Sequence, residues 1–191
     1  MKLILASGSP RRKELMEMFR PAELYIIPAK GEEQPHPELS PAELVMELSR
    51  CKAAEVAAQY AAPDDAVIGA DTVVVLDGEV LGKPKNAEDA KRMLCALSGR
   101  AHTVFTGLTV MRGGQMLQHA ERTEVHFRPL DEAEIERYVA TGEPMDKAGA
   151  YGAQGYASLF VEKLEGDFFN VMGLPLCALG NLLKQLGVNL L

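Results

Sequence analysis

No stretch of this sequence is apolar for long enough to span a bilayer. The first residues also lack the marks of a secretory leader. One lysine is followed at once by a strand-like run, with no separate hydrophobic region and no small-residue cleavage site. Membrane-embedded and exported classes are thereby set aside, and the expected location is the cytoplasm. Positive charge is short as well: 20 Lys and Arg stand against 27 Asp and Glu, for a net charge of −7 at pH 7. That balance is wrong for a general nucleic-acid binder, though a small anion remains possible where cations cluster locally. The three cysteines, Cys51, Cys95 and Cys177, are far apart, form no CxxC and fall in segments that read as helical. They are expected as small core residues in a reducing compartment. The four histidines, His36, His102, His119 and His126, show no metal-ligand spacing, so zinc chemistry and a cysteine nucleophile are both disfavoured.

What is present suits one α/β domain. The chain has 191 residues, 47% of them hydrophobic and 25% charged, which is enough for a full core with room for two lobes. Leu3-Ile4-Leu5-Ala6 reads as a buried strand, broken at Ser7-Gly8-Ser9. A helix then opens at Pro10, with Ser9 at the N-cap and Leu15, Met16, Met18 and Phe19 on an apolar face. A short strand follows around Glu23 to Ile27, then a Pro-rich loop, 28–41. Ser40-Pro41-Ala42-Glu43 is a capping box that starts a helix to about Tyr60, with Leu44, Leu48, Cys51 and Val56 on one side. Ala66 to Leu76 is β-rich, Asp77-Gly78 is a tight turn, and Glu79-Val80-Leu81 returns. Asn86 caps a helix over 87–97. Strands over 102–111 and 115–127 meet at Gly113-Gly114, and Asp131 with Glu134 starts a helix that Gly142 ends. Glu143 to Gly155 is a glycine-rich loop, a hairpin is expected over 159–171, and Pro175 opens a leucine-rich last helix. The pattern predicts one mixed-sheet domain with several antiparallel hairpins.

Several residues could carry chemistry. A helix start favours anions, so Arg11, Arg12 and Lys13 oppose the dipole in that first turn. A bound polyphosphate would account for them, against a surface helix that is basic by chance. Asp71 lies within an apolar strand run, where a lone charge is costly. It is either a strand-end carboxylate satisfied by backbone N–H groups, or a metal ligand or general base facing a cleft. Lys52, Lys83 and Lys85 are each solvent-facing by default. Together with Arg11 and Arg12 they could ring one triphosphate site. Glu32 or Glu33 could complete a magnesium site with Asp71. Gln154 could pair with the O4 and N3–H edge of uracil or thymine, but an amide can flip and so cannot set specificity alone.

SGSPRR, LSRCKA around Lys52, GADT around Asp71, LGKP around Lys83, DKAGAYGAQG and FNVMGLPL occur in that order along nearly the whole chain. Together they resemble the Maf family of nucleoside triphosphate pyrophosphatases, and AGAYGAQG resembles its dTTP/UTP branch. The resemblance implies an elongated Maf/ITPase-like α/β fold over 1–191 with two lobes around a deep cleft. It implies hydrolysis of a nucleoside triphosphate to the monophosphate and pyrophosphate with Mg²⁺ or Mn²⁺, and a cytoplasmic homodimer; from the charge balance and the lack of a long apolar run, neither nucleic acid nor membrane is expected as a partner. Carried over by position, the acidic catalytic residue falls on Asp71 and the second metal carboxylate on Glu33. Phosphate-side cations fall on Arg12, Lys52 and Lys83, the anion loop on Ser7 and Ser9, and substrate choice on Arg11, Thr72 and Gln154. Two alternatives stay open: the same reaction on a methylated guanine or modified pyrimidine nucleotide, or a nucleotide-binding regulatory protein with little turnover.

Overall fold

Two short parallel pairings start the fold. In this computed structural model, which describes residues 1–190 apart from 32–35 and 37, β1 (Leu3–Leu5) pairs in parallel with β2 (Leu24–Ile26) and with β3 (Ala66–Leu76). The links are helices, α1 (Pro10–Glu17) and α2 (Pro41–Tyr60), as parallel neighbours require. Helix α2 begins where its capping box lies: Ser40 accepts the Glu43 N–H while the Glu43 carboxylate accepts the Ser40 N–H at 2.9 Å. After β3, Asp77-Gly78 turns the chain into β4 (Glu79–Leu81), antiparallel to β3. Helix α3 (Ala87–Leu97) is capped by Asn86, which accepts the Asp89 N–H at 2.9 Å. β5 (Ala101–Arg112) and β6 (Gln115–Phe127) are joined through Gly113-Gly114, both with positive φ, the geometry of a tight hairpin turn. Helix α4 (Glu132–Ala140), three short 3₁₀ turns over 143–159, β7 (Val161–Glu165), α5 (Phe168–Val171) and α6 (Leu176–Gln185) complete the chain.

The strand order is β2-β1-β3-β5-β6-β7, with β4 on β3, in one seven-stranded mixed sheet. The chain divides into two compact units, with the changeovers inside β3, β5 and β6 and just before α6. In the first unit, residues 1–71, 106–121 and 173–191, α2 lies on the sheet with Ala53 and Val56 against Ile4, Ala6 and Val67. In the second, residues 72–105 and 122–172, α3 and α4 close over Val74, Val104, Val125 and Phe127. No described helix is long and apolar enough to cross a membrane.

Four expectations need correction. The segment 159–171 is not a hairpin: β7 pairs antiparallel with β6, and the chain after Gly166 turns into α5 because Asp167 caps the Phe169 N–H at 2.7 Å. The cysteines are helical but exposed, not core. The buried stripe of α2 is Val45, Leu48, Ser49, Ala53 and Val56 rather than Leu44, Leu48, Cys51 and Val56. Met18 lies outside the apolar face of α1, which buries Leu15 and Met16. Glu32 and Glu33 lie outside the described residues.

Candidate active site

β1 ends at Leu5, paired with Ile68, while β3 continues. Asp71 therefore lies beyond the C-terminal end of a parallel strand, where open α/β sheets place their ligands. Asp71 is buried, and its carboxylate receives the ammonium of Lys52 from α2 through Oδ1. The reach is set by two glycines. A Cβ at Gly69 would lie 2.2 Å from the Ser49 carbonyl oxygen and 2.9 Å from Ala53 Cβ, and one at Gly107 only 2.1 Å from the Val45 carbonyl oxygen. Only glycine lets the α2 backbone come this close to β3 and β5. Ser49 takes up the same contact by bonding to Thr109 Oγ1 at 2.8 Å.

Beside this pair stands the turn after β1. Ser7 is buried, and its Oγ accepts the Ser9 N–H at 3.2 Å and an Arg12 Nη1–H at 3.2 Å. Ser9 occupies the N-cap position of α1 but its side chain does not cap the helix. Arg12 is 9% exposed. Its Nε donates to the Gly173 carbonyl at 2.7 Å and Nη1 to the Ala70 carbonyl at 2.8 Å. The structure thus gives this cation a reason to sit against the helix dipole that needs no bound phosphate: it ties α1 to the backbone of β3 one residue before Asp71. Arg11 is half-exposed on the same turn of helix.

Ser7, Ser9, Arg12, Lys52 and Asp71 are therefore brought together in the first unit. Thr72, Lys83 and Gln154 belong to the second. There the Gly149 N–H donates to the Gly82 carbonyl at 3.1 Å, which ties the glycine-rich loop to the residue before Lys83. The loop bends sharply at that point, with Gly149 at φ 67° and Ala150, a non-glycine, at φ 60°. Both Lys83 and Gln154 are exposed.

The oxygen chemistry at Asp71 suits a hard divalent cation, which takes a carboxylate or two together with phosphate oxygens and water. Oδ1 is engaged by Lys52 and Oδ2 offers a second acceptor. Among the described residues, a different group has ligand-like spacing: Glu124, His126 and Glu165. Spacing along the sequence missed it because the β6–β7 register, not a motif, sets Glu165 opposite Glu124. Its carboxylates are already met by cations, Glu124 by Arg122 at 3.2 Å and Glu165 by Lys163 at 2.6 Å. A surface depression of about 400 Å³ near the start of α2 carries Glu38, Glu43 and Glu47, the wrong sign for a triphosphate.

A family model described as Maf-like protein matches residues 2–186. The dTTP/UTP pyrophosphatase of Pelotomaculum thermopropionicum is 50% identical over 192 residues, covering 100% of this chain and 99% of that one. Those of Agathobacter rectalis and Methanosarcina mazei are 48% and 46% identical, with 98% of this chain covered in both and 98% and 95% of theirs. A solved nucleoside-triphosphatase / dITP/XTP pyrophosphatase from Mycobacterium abscessus overlaps with a TM-score of 0.44 at 15% identity, over 68% of this chain and 76% of that one, too distant to bear on function.

Proposed function

The chain belongs to the family of Maf-like proteins, and from that premise we propose that it hydrolyses dTTP and UTP to the monophosphate and pyrophosphate. The observation that carries the reading is the Lys52–Asp71 pair, held past the end of β1 beside the Ser7–Arg12 turn. It is a charge arrangement suited to phosphoryl chemistry, in a chain whose full-length relatives are named for that activity.

Water attacks the α-phosphorus, the bond from that phosphorus to the oxygen bridging to the β-phosphate breaks, and pyrophosphate leaves with the electron pair. Asp71 takes the proton of the attacking water or holds a cation beside it, and Lys52 keeps the carboxylate in one orientation. Lys52 and Lys83 offset the charge that grows on the departing pyrophosphate, and Arg12 adds positive potential from a fixed place. Ser7 and Ser9 line the anion turn, while Arg11, Thr72 and Gln154 meet the base. Mg²⁺ or Mn²⁺, held by Asp71 and Glu33, would polarise the phosphate oxygens as a Lewis acid. The reading takes residues 1–191 as one catalytic domain and carries with it a cytoplasmic homodimer.

The test is release of pyrophosphate rather than orthophosphate from a panel of dTTP, UTP, CTP and 7-methyl-GTP with magnesium, run on the parent and on Asp71→Asn. The expected result is preference for dTTP and UTP and a fall of about 10²-fold or more in the variant, as for removal of a general base. Turnover within a few-fold of the parent would refute the role of Asp71. Tight dTTP binding without pyrophosphate release would refute the activity.

A further inference from the structure

We propose that Glu143 is a positioning residue for base selection, its carboxylate fixing the turn that presents Gln154. The inference rests on the reading of Gln154 as a contact for the pyrimidine edge. Within the second unit, the Gly155 N–H donates to the Gly152 carbonyl at 2.9 Å, which closes a tight turn with Ala153 and Gln154 at its two central positions. Past the turn, the Tyr156 N–H donates to Glu143 Oε2 at 2.9 Å, and the Ala157 N–H lies 3.5 Å from Oε1. Before the turn, the Gly152 N–H donates to the Tyr138 hydroxyl oxygen at 3.2 Å, and that hydroxyl donates to Glu143 Oε1 at 2.9 Å. Both ends of the turn are therefore tied to one Tyr138–Glu143 pair.

The glycines fit those side chains. A Cβ at Gly155 would lie 2.3 Å from Glu143 Oε2, and one at Gly152 would lie 2.6 Å from Lys147 Cε. Lys147 in turn donates to the Glu143 carbonyl at 2.7 Å and to the Asp146 carboxylate at 2.6 Å. Burial first, and then Glu143, push the Tyr138 phenol up, so it stays a donor across the physiological range. None of these groups needs to touch substrate. Their consequence is orientational: an amide discriminates a base edge only while its plane is held, because its two ends present opposite hydrogen-bonding characters. A turn ordered in advance also spares the binding step the cost of ordering it.

The experiment measures steady-state pyrophosphate release from dTTP, UTP and dATP for the parent, Glu143→Gln, Glu143→Ala and Gln154→Ala, with melting temperatures and amide hydrogen exchange over 152–157. Support is a rise in KM for dTTP and UTP of about tenfold in Glu143→Ala with kcat within about threefold, and a matching loss of preference over dATP. Gln154→Ala shows the same loss, Glu143→Gln falls between, and exchange at Tyr156 accelerates in both Glu143 variants. Parent-like KM and preference in the Glu143 variants, while Gln154→Ala loses them, overturn the inference and leave the reading of Gln154 standing. Unchanged preference in Gln154→Ala overturns that reading and the inference with it. A fall in kcat/KM that is equal for all three nucleotides and tracks melting temperature makes Glu143 a fold residue only, and overturns the inference. Glu143→Gln carries the test if Glu143→Ala fails to fold.

Discussion

Adding one methyl group at Gly69 should separate the charged pair without touching either charge. The Cβ of Gly69→Ala would lie 2.2 Å from the Ser49 carbonyl oxygen and 3.0 Å from the Ala53 backbone nitrogen, both in the rigid middle of α2. Ordinary contact needs the helix and strand to part by about 1 Å, and backbone cannot yield as a side-chain end can. Lys52 is the residue before Ala53, and Asp71 lies two residues beyond Gly69 on the same face of β3, so the displacement reaches their bond directly. Overpacking of this kind costs about 1–3 kcal/mol. At roughly 2–4 °C per kcal/mol for a chain of this size, melting should fall by about 2–12 °C. A misplacement of about 1 Å at a reacting group costs on the order of 10²-fold in rate. The control is Gly180→Ala in α6, where an added Cβ meets nothing within 4 Å and should stabilise by about 0.5–1 kcal/mol. Thermal melts and pyrophosphate release decide the matter. A Gly69→Ala protein that melts within about 1 °C of the parent and turns over dTTP within about threefold would show that close approach of α2 does not set the Lys52–Asp71 geometry.

Two further outcomes follow from other buried groups. Arg12→Met should destabilise the protein without nucleotide by about 2–4 kcal/mol, because the Gly173 and Ala70 carbonyls lose a charged donor; a melting curve unchanged from the parent would leave Arg12 no role in the frame. His102 is buried against Tyr151 and Phe127, and burial, with a smaller contribution from His126, pushes it down to about 4 from an ordinary 6.5. The unfolded chain takes up a proton that the native protein refuses, so stability is full above pH 6.5 and falls by up to about 3 kcal/mol as pH drops towards 4. Urea unfolding across that window should show the fall in the parent and a flatter profile in His102→Phe; equal profiles would refute it.

Local signals were legible where a side chain closes a bond with its own neighbourhood. Ser40 with Glu43, Asn86 with Asp89, Asp131 with Glu134 and the turns at Asp77-Gly78 and Gly113-Gly114 all form as the residues suggest, because each is decided within a few positions. The hairpin expected over 159–171 failed for a reason of the same kind. Asp167 is a cap as well as a turn residue, and Asn170, at the buried end of the short helix it starts, donates to the Val104 carbonyl at 3.1 Å and to Thr123 Oγ1 at 2.8 Å. Those partners are supplied by β5 and β6, tens of residues away, and no apolar alternation announces them.

The face of α2 shows why the site itself was only half legible. Hydrophobicity ranks Leu44 and Cys51 above Ser49 and Ala53, and so turns the helix by about one position from where it lies. The sheet reverses that ranking. With glycine at 69 the surface under the middle of α2 is backbone, and there the helix rests on it through the small residues Ser49 and Ala53; Leu or Cys at that contact would hold it away. Size therefore outranks hydrophobicity at this contact, and Lys52 is aimed at Asp71 by the residue next to it. The information was present in the chain as two small-residue patterns, Ser49-x-x-x-Ala53 and Gly69-x-Asp71, written 20 residues apart. Neither means anything alone. Complementarity between a helix and a strand is what gives each its meaning, so the charged pair became readable only once the two surfaces were seen to fit.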